Sequence, residues 1–347
     1  MDLNGKTLLV TGATGSFGRK FMRAVLDRWD VDAIRAFSRD ELKQSEMFEA
    51  FRGAPVRPLL GDVRDAQRVR VATRGVDLIV HAAALKQVPA CEYNPFEAVQ
   101  TNIIGAQNVI SAAIDNRVPL TIALSTDKAV NPANLYGATK LCAEKIVAQA
   151  GVYAGGTPAR FASVRYGNVV GSRGSVIPIF KQQAETGVLT ITDERMTRFW
   201  ITLDEAVEFV LSSLSLVHGG ETFVPKIPSM RITDVADAVA PDAERRIVGI
   251  RPGEKLHEVL LTEDEARTTV DIGDRYVILP HRPVLDEADL ERGERLPDGF
   301  NYASNTNDQW LTREDLLAMA HALPPARRAG DRGPAAMTAA QGRVSPA

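Results

Sequence analysis

The sequence predicts an α/β protein with a doubly wound parallel sheet and a smaller C-terminal lobe. Apolar runs typical of buried strands alternate with helix-like periodic stretches from Lys6 to about Val170, as expected of parallel strands joined by helices. Three regularly spaced glycines, Gly12, Gly15 and Gly18, follow the first apolar run. Polar residues collect where later runs end, and in open sheets of this kind ligands bind at the carboxyl ends of the strands.

The first predicted unit is a strand over Leu8 to Val10, a glycine-rich turn and a helix over Phe17 to Leu26. This order is the context that a dinucleotide-binding turn requires. Glycine lets the backbone approach a pyrophosphate, and the helix N-terminus favours its negative charge. The spacing Gly-x-x-Gly-x-x-Gly departs from Gly-x-Gly-x-x-Gly, and an ordinary turn with three glycines is the alternative. The predicted cofactor contacts here are Gly12, Thr14, Gly15, Ser16, Phe17 and Gly18.

The second predicted strand, Ala33 to Phe37, ends in Ser38, Arg39 and Asp40, with Lys43 one turn further on. An acid in this region would bind the ribose hydroxyls of NAD. Because Arg39 and Lys43 can both face a 2′-phosphate, the sequence favours NADP. Asp40 could instead bind a ribose if the loop were one residue longer, and a solvated Arg and Lys at a helix start are the structural alternative.

Two further strands end in candidate cofactor contacts. Val56 to Leu60 precedes Gly61, Asp62 and Val63, which we expect at the adenine edge. Asp77 to His81 precedes Ala82, Ala83 and Ala84, where small side chains would let a flat ring lie against the backbone. The start of an Ala-rich helix is the alternative there. Asn102, in the following helix, is either a ligand contact or a structural amide.

The next strand, Leu120 to Ser125, leads into the most informative segment of the chain. Tyr136 and Lys140 are four residues apart and share one face if the segment is helical. A nearby ammonium lowers the pKa of a phenol, so Tyr136 could exchange a proton with a sugar hydroxyl while a nicotinamide exchanges hydride with the same carbon. Asp127 and Lys128 form a second acid/base pair, which elimination of water requires. Alone, a Tyr-x-x-x-Lys also fits a packed tyrosine and a surface lysine.

Composition excludes several classes of function. The chain has 347 residues, 45% hydrophobic and 24% charged, with a net charge of −3, so a general affinity for nucleic acid is not expected. The two cysteines, Cys91 and Cys142, suggest buried small residues in a cytoplasmic protein rather than a disulfide framework. The five histidines lack ligand spacing, so no metal site is predicted. No run of about 18 apolar residues predicts a membrane span.

The predicted organisation has three parts. Residues 1–171 form an NADP-binding Rossmann domain, to which Ile201 to Phe209 and Glu221 to Val224 return within 201–225. Residues 172–323 form mainly a substrate-binding lobe. Residues 324–347 are rich in Ala, Pro, Gly and Arg with few large apolar side chains, which predicts a disordered tail.

Several motifs together resemble one family. They are Thr11 to Gly18, Ser38 to Met47, Ala84 to Pro89, Ser125 to Lys140, Arg195 to Trp200, and Arg251 to Glu258. From about Leu3 to Leu317 the chain resembles the extended short-chain dehydrogenase/reductases that modify nucleotide sugars. More narrowly, it is similar to the UDP-N-acetylglucosamine 4,6-dehydratases that invert carbon 5 and begin pseudaminic acid synthesis. The residues after Pro324 have no counterpart in that family.

The resemblance implies roles for particular residues and a homo-oligomeric enzyme acting on a UDP-sugar. Asp127 and Lys128 would be the acid and base of dehydration, and Tyr136 and Lys140 would serve hydride transfer and cofactor binding. As a base, Lys128 needs a neutral amine, so we expect burial and positive neighbours to lower its pKa. The residues implied to face the UDP-sugar are Lys86, Asn168, Arg198, Arg251 and Glu254.

Two departures from related families favour the inverting group. Retaining dehydratases carry methionine in place of Tyr136, and hexose-nucleotide dehydratases carry Asp-Glu in place of Asp127 and Lys128. A retaining dehydratase, a nucleotide-sugar 4-epimerase or reductase, and a non-catalytic NADP-sensing protein are the alternatives. An epimerase would need Tyr136 and Lys140 but not the Asp127–Lys128 pair.

Overall fold

The computed structural model describes residues 1–171, 176–280, 289 and 291–321. The strands in these ranges are β1 Thr7–Thr11, β2 Ala33–Ser38, β3 Val56–Leu60, β4 Leu78–His81, β5 Leu120–Leu124, β6 Arg160–Val164, β7 Asn168–Val169, β8 Val188–Ile191, β9 Thr197–Ile201, β10 Thr222–Pro225, β11 Ser229–Arg231, β12 Glu244–Ile247, β13 Val259–Leu261, β14 Thr269–Asp271, β15 Arg275–Ile278, β16 Glu294–Arg295 and β17 Tyr302–Ala303. The predicted tail, 324–347, lies outside the described residues.

The helices connect and flank these strands. They are α1 Ser16–Leu26, α2 Glu41–Ala50, α3 Ala66–Ala72, α4 Val88–Tyr93, α5 Pro95–Val99, α6 Gly105–Asp115, α7 Leu135–Tyr153, α8 Val176–Ala184, α9 Leu203–Ser213, α10 Ile232–Val239, α11 Glu263–Ala266 and α12 Arg313–His321. A π-helical turn, Gln100–Ile104, leads into α6, and single 3₁₀ turns lie at Asp127–Ala129 and Leu214–Leu216.

Among the described residues, ten strands form one sheet in the order β16-β14-β15-β10-β6-β5-β4-β1-β2-β3. The strands from β3 to β10 in this order run parallel to their neighbours, whereas β15, β14 and β16 extend the sheet antiparallel beyond β10. The order reverses direction between β1 and β4, where a doubly wound sheet opens its ligand crevice. The predicted α/β fold class is confirmed.

Helices cover both faces of the parallel sheet, as its apolar strands require. Side chains of α1, α2 and α9, including Phe21, Met47 and Val210, join the core on one face. Side chains of α3, α6 and α7, including Val69, Val109 and Val147, form the core on the other. The two cores lie on opposite faces of the strands whose carboxyl ends form the candidate site.

The chain after 175 divides between the sheet and a smaller lobe. Thr222–Pro225 pairs with β6 in the main sheet. The stretch Ile201 to Phe209 adds no strand to that sheet, although its helical part packs in the core on one face of the sheet. It contains the end of β9, which pairs with β7 and β11 in a separate sheet, and most of α9. The Thr202 side chain and Glu205 form a capping box that starts α9, so the local sequence favours a helix here. The assignment of 172–323 mainly to a substrate lobe stays a prediction.

The helices and the two cysteines bear on two further predictions. Within the described ranges, no helix combines the length and apolar character needed to cross a membrane. Both cysteines are free, but only Cys91 is buried and Cys142 is exposed on α7, so the prediction of two buried cysteines was wrong for Cys142. A helix of 19 residues presents several faces, and the residue type alone does not select the buried one.

Candidate active site

The predicted site residues gather around one cleft of about 1230 Å³ at the carboxyl ends of the parallel strands. This volume exceeds the range of about 300–1,000 Å³ typical of pockets for one small ligand, so there is room for a dinucleotide and a second molecule. Its lining includes Gly12, Thr14, Gly15, Ser16, Phe17, Gly18, Ser38, Arg39, Asp40, Lys43, Asp62, Val63, Ala82, Ala83, Ala84, Lys86, Lys128, Tyr136, Lys140, Asn168, Arg198, Arg251 and Glu254. Asp127 lies behind this lining and is fully buried.

The glycine-rich turn fits the pyrophosphate of a dinucleotide. Gly12 has a φ of +66°, and a Cβ there would lie 2.8 Å from the carbonyl oxygen of Ala82, so no larger residue fits between β1 and the loop after β4. Gly15 is the N-cap of α1, with no capping side chain and no acid in the first turn. The N-terminal N–H groups of α1 are therefore available to an anion.

The two basic residues after β2, Arg39 and Lys43, have different partners. Asp40 caps α2 by accepting from the Lys43 backbone N–H at 3.0 Å, and its other oxygen accepts from the Lys43 Nζ at 2.6 Å. These hydrogen bonds lower the pKa of Asp40. Arg39 keeps 54% of its side chain exposed, and its nearest carboxylate is Asp62 at 3.8 Å. Arg39 is thus better placed than Lys43 to meet a 2′-phosphate, and Asp40 already has a structural role.

The loop after β4 is fixed by a buried amide. Asn102 accepts from the Leu85 N–H at 2.8 Å and donates to the Leu85 carbonyl at 2.9 Å and to the Thr139 hydroxyl at 3.0 Å. It therefore acts as a structural amide that ties this loop to α7. Ala82, Ala83 and Ala84 belong to the loop and not to a helix start.

The central segment brings four predicted catalytic residues to one end of β5. Thr126 caps the 3₁₀ turn that carries Asp127 and Lys128. The Asn134 side chain caps α7 by accepting from the Gly137 N–H at 2.8 Å, and the first turns of α7 carry Tyr136 and Lys140. Gly137 is needed for contact, since a Cβ there would fall on the carbonyl oxygen of Lys128.

Lys128 lies between two carboxylates. Its Nζ is 3.0 Å from Asp127 Oδ1, 3.6 Å from Glu258 Oε1 and 3.2 Å from Asn168 Oδ1. Burial lowers the pKa of Lys128, but the charges of Asp127 and Glu258 outweigh burial, so the pKa is raised above its ordinary value. The prediction of a lowered pKa was wrong, because the nearest charges are negative. The resting pair is an ammonium beside a carboxylate.

Tyr136 and Lys140 also differ from expectation. Burial raises the pKa of Tyr136 to about 12, against the opposing effects of Lys128 and the Thr126 hydroxyl. The predicted lowering by Lys140 is not seen. The Lys140 Nζ donates to the Leu124 carbonyl at 2.6 Å, and burial lowers the pKa of Lys140 to about 8. Lys140 is thus anchored to the end of β5, with an amine that titrates near neutrality.

The residues expected at the sugar side line the cleft but have different surroundings. The Arg198 guanidinium donates to the carbonyls of Thr197, Leu256 and Lys255 at 2.7–3.0 Å, which fixes its position. Arg251 is 63% exposed and lies 3.8 Å from Glu254. Burial and the charge of Lys128 lower the pKa of Lys86.

Three residues of the site were not singled out from the sequence. Thr126 donates to Asp127 Oδ1 at 2.8 Å and lines the cleft. Glu258 and Lys255 form a buried ion pair of 2.9 Å beside Lys128. The motif Arg251 to Glu258 was the available signal for the last two, but its spacing does not tell which members point inward.

A doubly wound sheet, a glycine-rich turn after β1 and a Tyr136–Lys140 pair beyond β5 define an extended short-chain dehydrogenase/reductase. The family model described as "Polysaccharide biosynthesis protein" matches residues 8–280, and the chain belongs to that family. The chain is 50% identical over 323 residues to the UDP-N-acetylglucosamine 4,6-dehydratase (inverting) of Campylobacter jejuni subsp. jejuni serotype O:23/36 (strain 81-176), covering 90% of this chain and 97% of the relative.

The chain is also similar to a nucleotide-sugar epimerase and to a solved structure. The UDP-glucose 4-epimerase of Rickettsia massiliae (strain Mtu5) is 43% identical over 307 residues, covering 85% of this chain and 87% of the relative. The X-ray structure of Pen from Bacillus thuringiensis superposes with a TM-score of 0.84 at 38% identity, covering 92% of this chain and 98% of that one.

Proposed function

We propose that this protein dehydrates UDP-N-acetylglucosamine to a UDP-4-keto-6-deoxy-N-acetylhexosamine with inversion at carbon 5, using bound NADP. The observation that carries the proposal is the Lys128–Asp127 pair, 3.0 Å apart, at the same end of β5 as Tyr136 and Lys140. A redox pair and an elimination pair in one cleft match an internal oxidation, loss of water and reduction. The inverting dehydratase of Campylobacter jejuni, 50% identical, supports the same reaction.

The chemistry divides between the two pairs. When bound, NADP supplies the hydride acceptor for carbon 4 and the hydride donor for carbon 6. Tyr136, as a phenolate, takes the proton of the carbon 4 hydroxyl, and the resulting ketone acidifies the proton on carbon 5. Lys128 removes that proton, and Asp127 provides the proton with which the carbon 6 hydroxyl leaves as water. Once carbon 6 has received hydride, a proton enters carbon 5 from the cleft and completes the product, which keeps its UDP group. That proton offsets the one that Tyr136 took, so the protein returns to its starting protonation state.

Within the ion pair, movement of one proton would convert both Lys128 and Asp127 to the forms that elimination needs. Transfer of a proton from Lys128 to Asp127 across their 3.0 Å contact would create the neutral amine and the carboxylic acid together. Lys128 then regains a proton from carbon 5. Asp127 loses its proton toward the cleft by way of the Thr126 hydroxyl, 2.8 Å away. The elimination step therefore needs no outside proton.

The preference for NADP rests on Arg39. Its guanidinium lies at the end of β2, where the second phosphate of NADP would be bound, and over half of its side chain is exposed. Charge-assisted contacts to phosphate are among the stronger hydrogen bonds in proteins.

A nucleotide-sugar 4-epimerase is the second candidate, because the Rickettsia massiliae relative carries that name at 43% identity. An epimerase needs Tyr136 and Lys140 and leaves the carbon 6 hydroxyl in place. Incubation with UDP-N-acetylglucosamine and no added reductant separates the two. A 6-deoxy-4-keto product supports the dehydratase, and a 4-epimer with its carbon 6 hydroxyl intact supports the epimerase.

The proposal extends to the compartment, the pathway and the assembly. We place the enzyme in the cytoplasm, at the start of a pseudaminic acid type pathway, because both cysteines are free thiols and the motifs resemble that group. We also propose a homo-oligomer, since Tyr93 and Phe96 are 88% and 84% exposed and offer apolar surface for a second copy. Sedimentation of the purified protein tests the oligomer.

A further inference from the structure

Glu258 is a buried carboxylate in a firmly held position beside the elimination pair. It directly precedes β13, and its backbone is fixed on both sides by Ser304, which accepts from the Glu258 N–H at 3.0 Å and donates its own N–H to the Glu258 carbonyl at 2.8 Å. Only 4% of the side chain is exposed. A carboxylate this deeply buried requires charge partners.

Three cations surround that carboxylate. Oε1 lies 3.6 Å from Lys128 Nζ and 4.0 Å from Arg198 Nε, and Oε2 lies 2.9 Å from Lys255 Nζ. Burial raises the pKa of Glu258, but Lys128, Arg198 and Lys255 outweigh burial, so the pKa lies below its ordinary value. Glu258 is therefore ionised and presents one negative charge toward the Lys128 amine.

We propose that Glu258 is a positioning residue for the elimination step, holding the Lys128 amine against Asp127 and setting how readily that amine gives up its proton. The inference rests on the proposed function. A carboxylate that served only to neutralise Arg198 and Lys255 would have no need to direct one oxygen at Lys128. Asp127, Glu258 and Asn168 occupy three sides of the amine, which limits the directions in which its lone pair can point.

The charges around Lys128 give the sign of the expected effect. The negative charges of Asp127 and Glu258 favour the ammonium, and Arg198 opposes it; Lys86 lies close enough for the two amines to influence each other. Replacing Glu258 with glutamine removes one negative charge. It also leaves Arg198 and Lys255 uncompensated. Both changes lower the pKa of Lys128, so the variant amine becomes neutral at lower pH.

The test isolates the base from the redox pair. The 4-keto-6-deoxy product is made in ordinary water by the wild-type enzyme and then incubated with each holoenzyme in deuterated buffer. Loss of the carbon 5 proton signal is followed by NMR between pH 6 and 10. This exchange needs Lys128 but no hydride transfer, and Lys128→Ala gives the background rate. Failure of the wild-type enzyme to make the product would contradict the proposed function itself, and not the role of Glu258.

Exchange should rise with pH across this range, and we expect the pH at which it reaches a fixed rate to fall by about one unit or more in Glu258→Gln, as for loss of an opposite charge within a few ångströms. Glu265→Gln is the matched control, because Glu265 is also held against a buried arginine, Arg165, at 2.9–3.0 Å. The charges that shift the pKa of Lys128 are instead those of Asp127, Glu258 and Arg198. We expect the control to keep the wild-type profile.

A uniform loss of rate with an unchanged pH profile in Glu258→Gln would overturn the proposal, because a purely structural residue behaves that way. If Glu258→Gln does not fold, Glu258→Asp replaces it. The shorter side chain keeps the charge but withdraws it from Lys128, so a smaller shift in the same direction is expected. An unshifted profile in Glu258→Asp would then overturn the proposal.

Discussion

Arg39 and Lys43 both belong to the predicted phosphate site, but only the Lys43 side chain is held in a short ion pair. The Lys43 amine is paired with Asp40 at 2.6 Å, whereas Arg39 lies 3.8 Å from its nearest carboxylate. Arg39→Ala should therefore weaken binding of NADP(H) more than binding of NAD(H), by about 1.5–3 kcal/mol. Lys43→Ala serves as the comparison and should have the smaller effect. Titration calorimetry with both cofactors measures this, and equal losses for NADP(H) and NAD(H) would contradict it.

Variants of Lys128 and Tyr136 should separate the elimination step from the oxidation step. Lys128→Ala removes the base at carbon 5 but leaves Tyr136 and Lys140, so it should abolish water loss and retain partial oxidation at carbon 4. Tyr136→Phe should impair oxidation itself, since the proton acceptor is lost. Single-turnover experiments that follow NADPH absorbance and product separately distinguish the two. Normal dehydration by Lys128→Ala would remove Lys128 from the mechanism.

The sequence could identify Lys128 but not its protonation. Spacing placed Asp127 and Lys128 on one segment, and this needs only the chain itself. The pKa of Lys128 is raised first by Asp127, its neighbour in the sequence, and then by Glu258, which is distant in the sequence and directly precedes β13. Likewise, burial raises the pKa of Tyr136 to about 12, and burial is a property of the folded cleft. Residue identity was therefore predictable from the sequence, whereas electrostatic state was not.

At the scale of elements, the contact between α7 and the 3₁₀ turn Asp127–Ala129 determines the site. Gly137 lies at that contact, and a Cβ there would overlap the Lys128 carbonyl. Gly137→Ala should displace the turn, cost about 1–3 kcal/mol of unfolding free energy and reduce dehydration strongly. Gly151→Ala on the same helix is the control, because a Cβ at Gly151 meets nothing within 4 Å.

The control variant should be neutral or stabilising by about 0.5–1 kcal/mol, since alanine favours helix more than glycine does. Chemical denaturation of both variants, with activity measured beside it, tests the pair. If Gly137→Ala kept full activity and stability, the close packing of α7 against the turn would not be essential.

The elements of the first 170 residues followed the sequence closely, because the central parallel strands β1, β4 and β5 are buried along their whole length and are bounded by turns. The predicted strand Val56 to Leu60 coincides with β3, and the predicted run Leu120 to Ser125 differs from β5 by one residue. The boundary inside Ile201 to Phe209 was harder to predict, because β9 ends at Ile201 and α9 begins at Leu203 with one residue between them. Periodicity alone does not locate a boundary between two adjoining elements of different type.

At the scale of the whole molecule, the cleft joins segments from Gly12 to Glu258. The doubly wound order makes the cofactor half predictable, because each strand end falls at one edge of the sheet. The other half depends on how β7, β9 and the segment before β13 fold back over that edge. Neither periodicity nor spacing in the sequence specifies how these segments fold back, so the residues that contact Arg198 and Glu258 could be identified only from the structure.

The stereochemical outcome is a property of the complete cleft, since inversion requires a proton to reach carbon 5 on the face opposite to Lys128, or the ring to turn between steps. Lys128 is held by Asp127, Asn168 and Glu258, so the two faces of a bound ring would meet different groups. We expect inversion. The reaction run in deuterated water should give a 2-acetamido-2,6-dideoxy-β-L-arabino-4-hexulose nucleotide with deuterium at carbon 5, read by NMR at early times. A D-xylo sugar as the first product would instead make the enzyme a retaining dehydratase, with the same fold and the same loss of water.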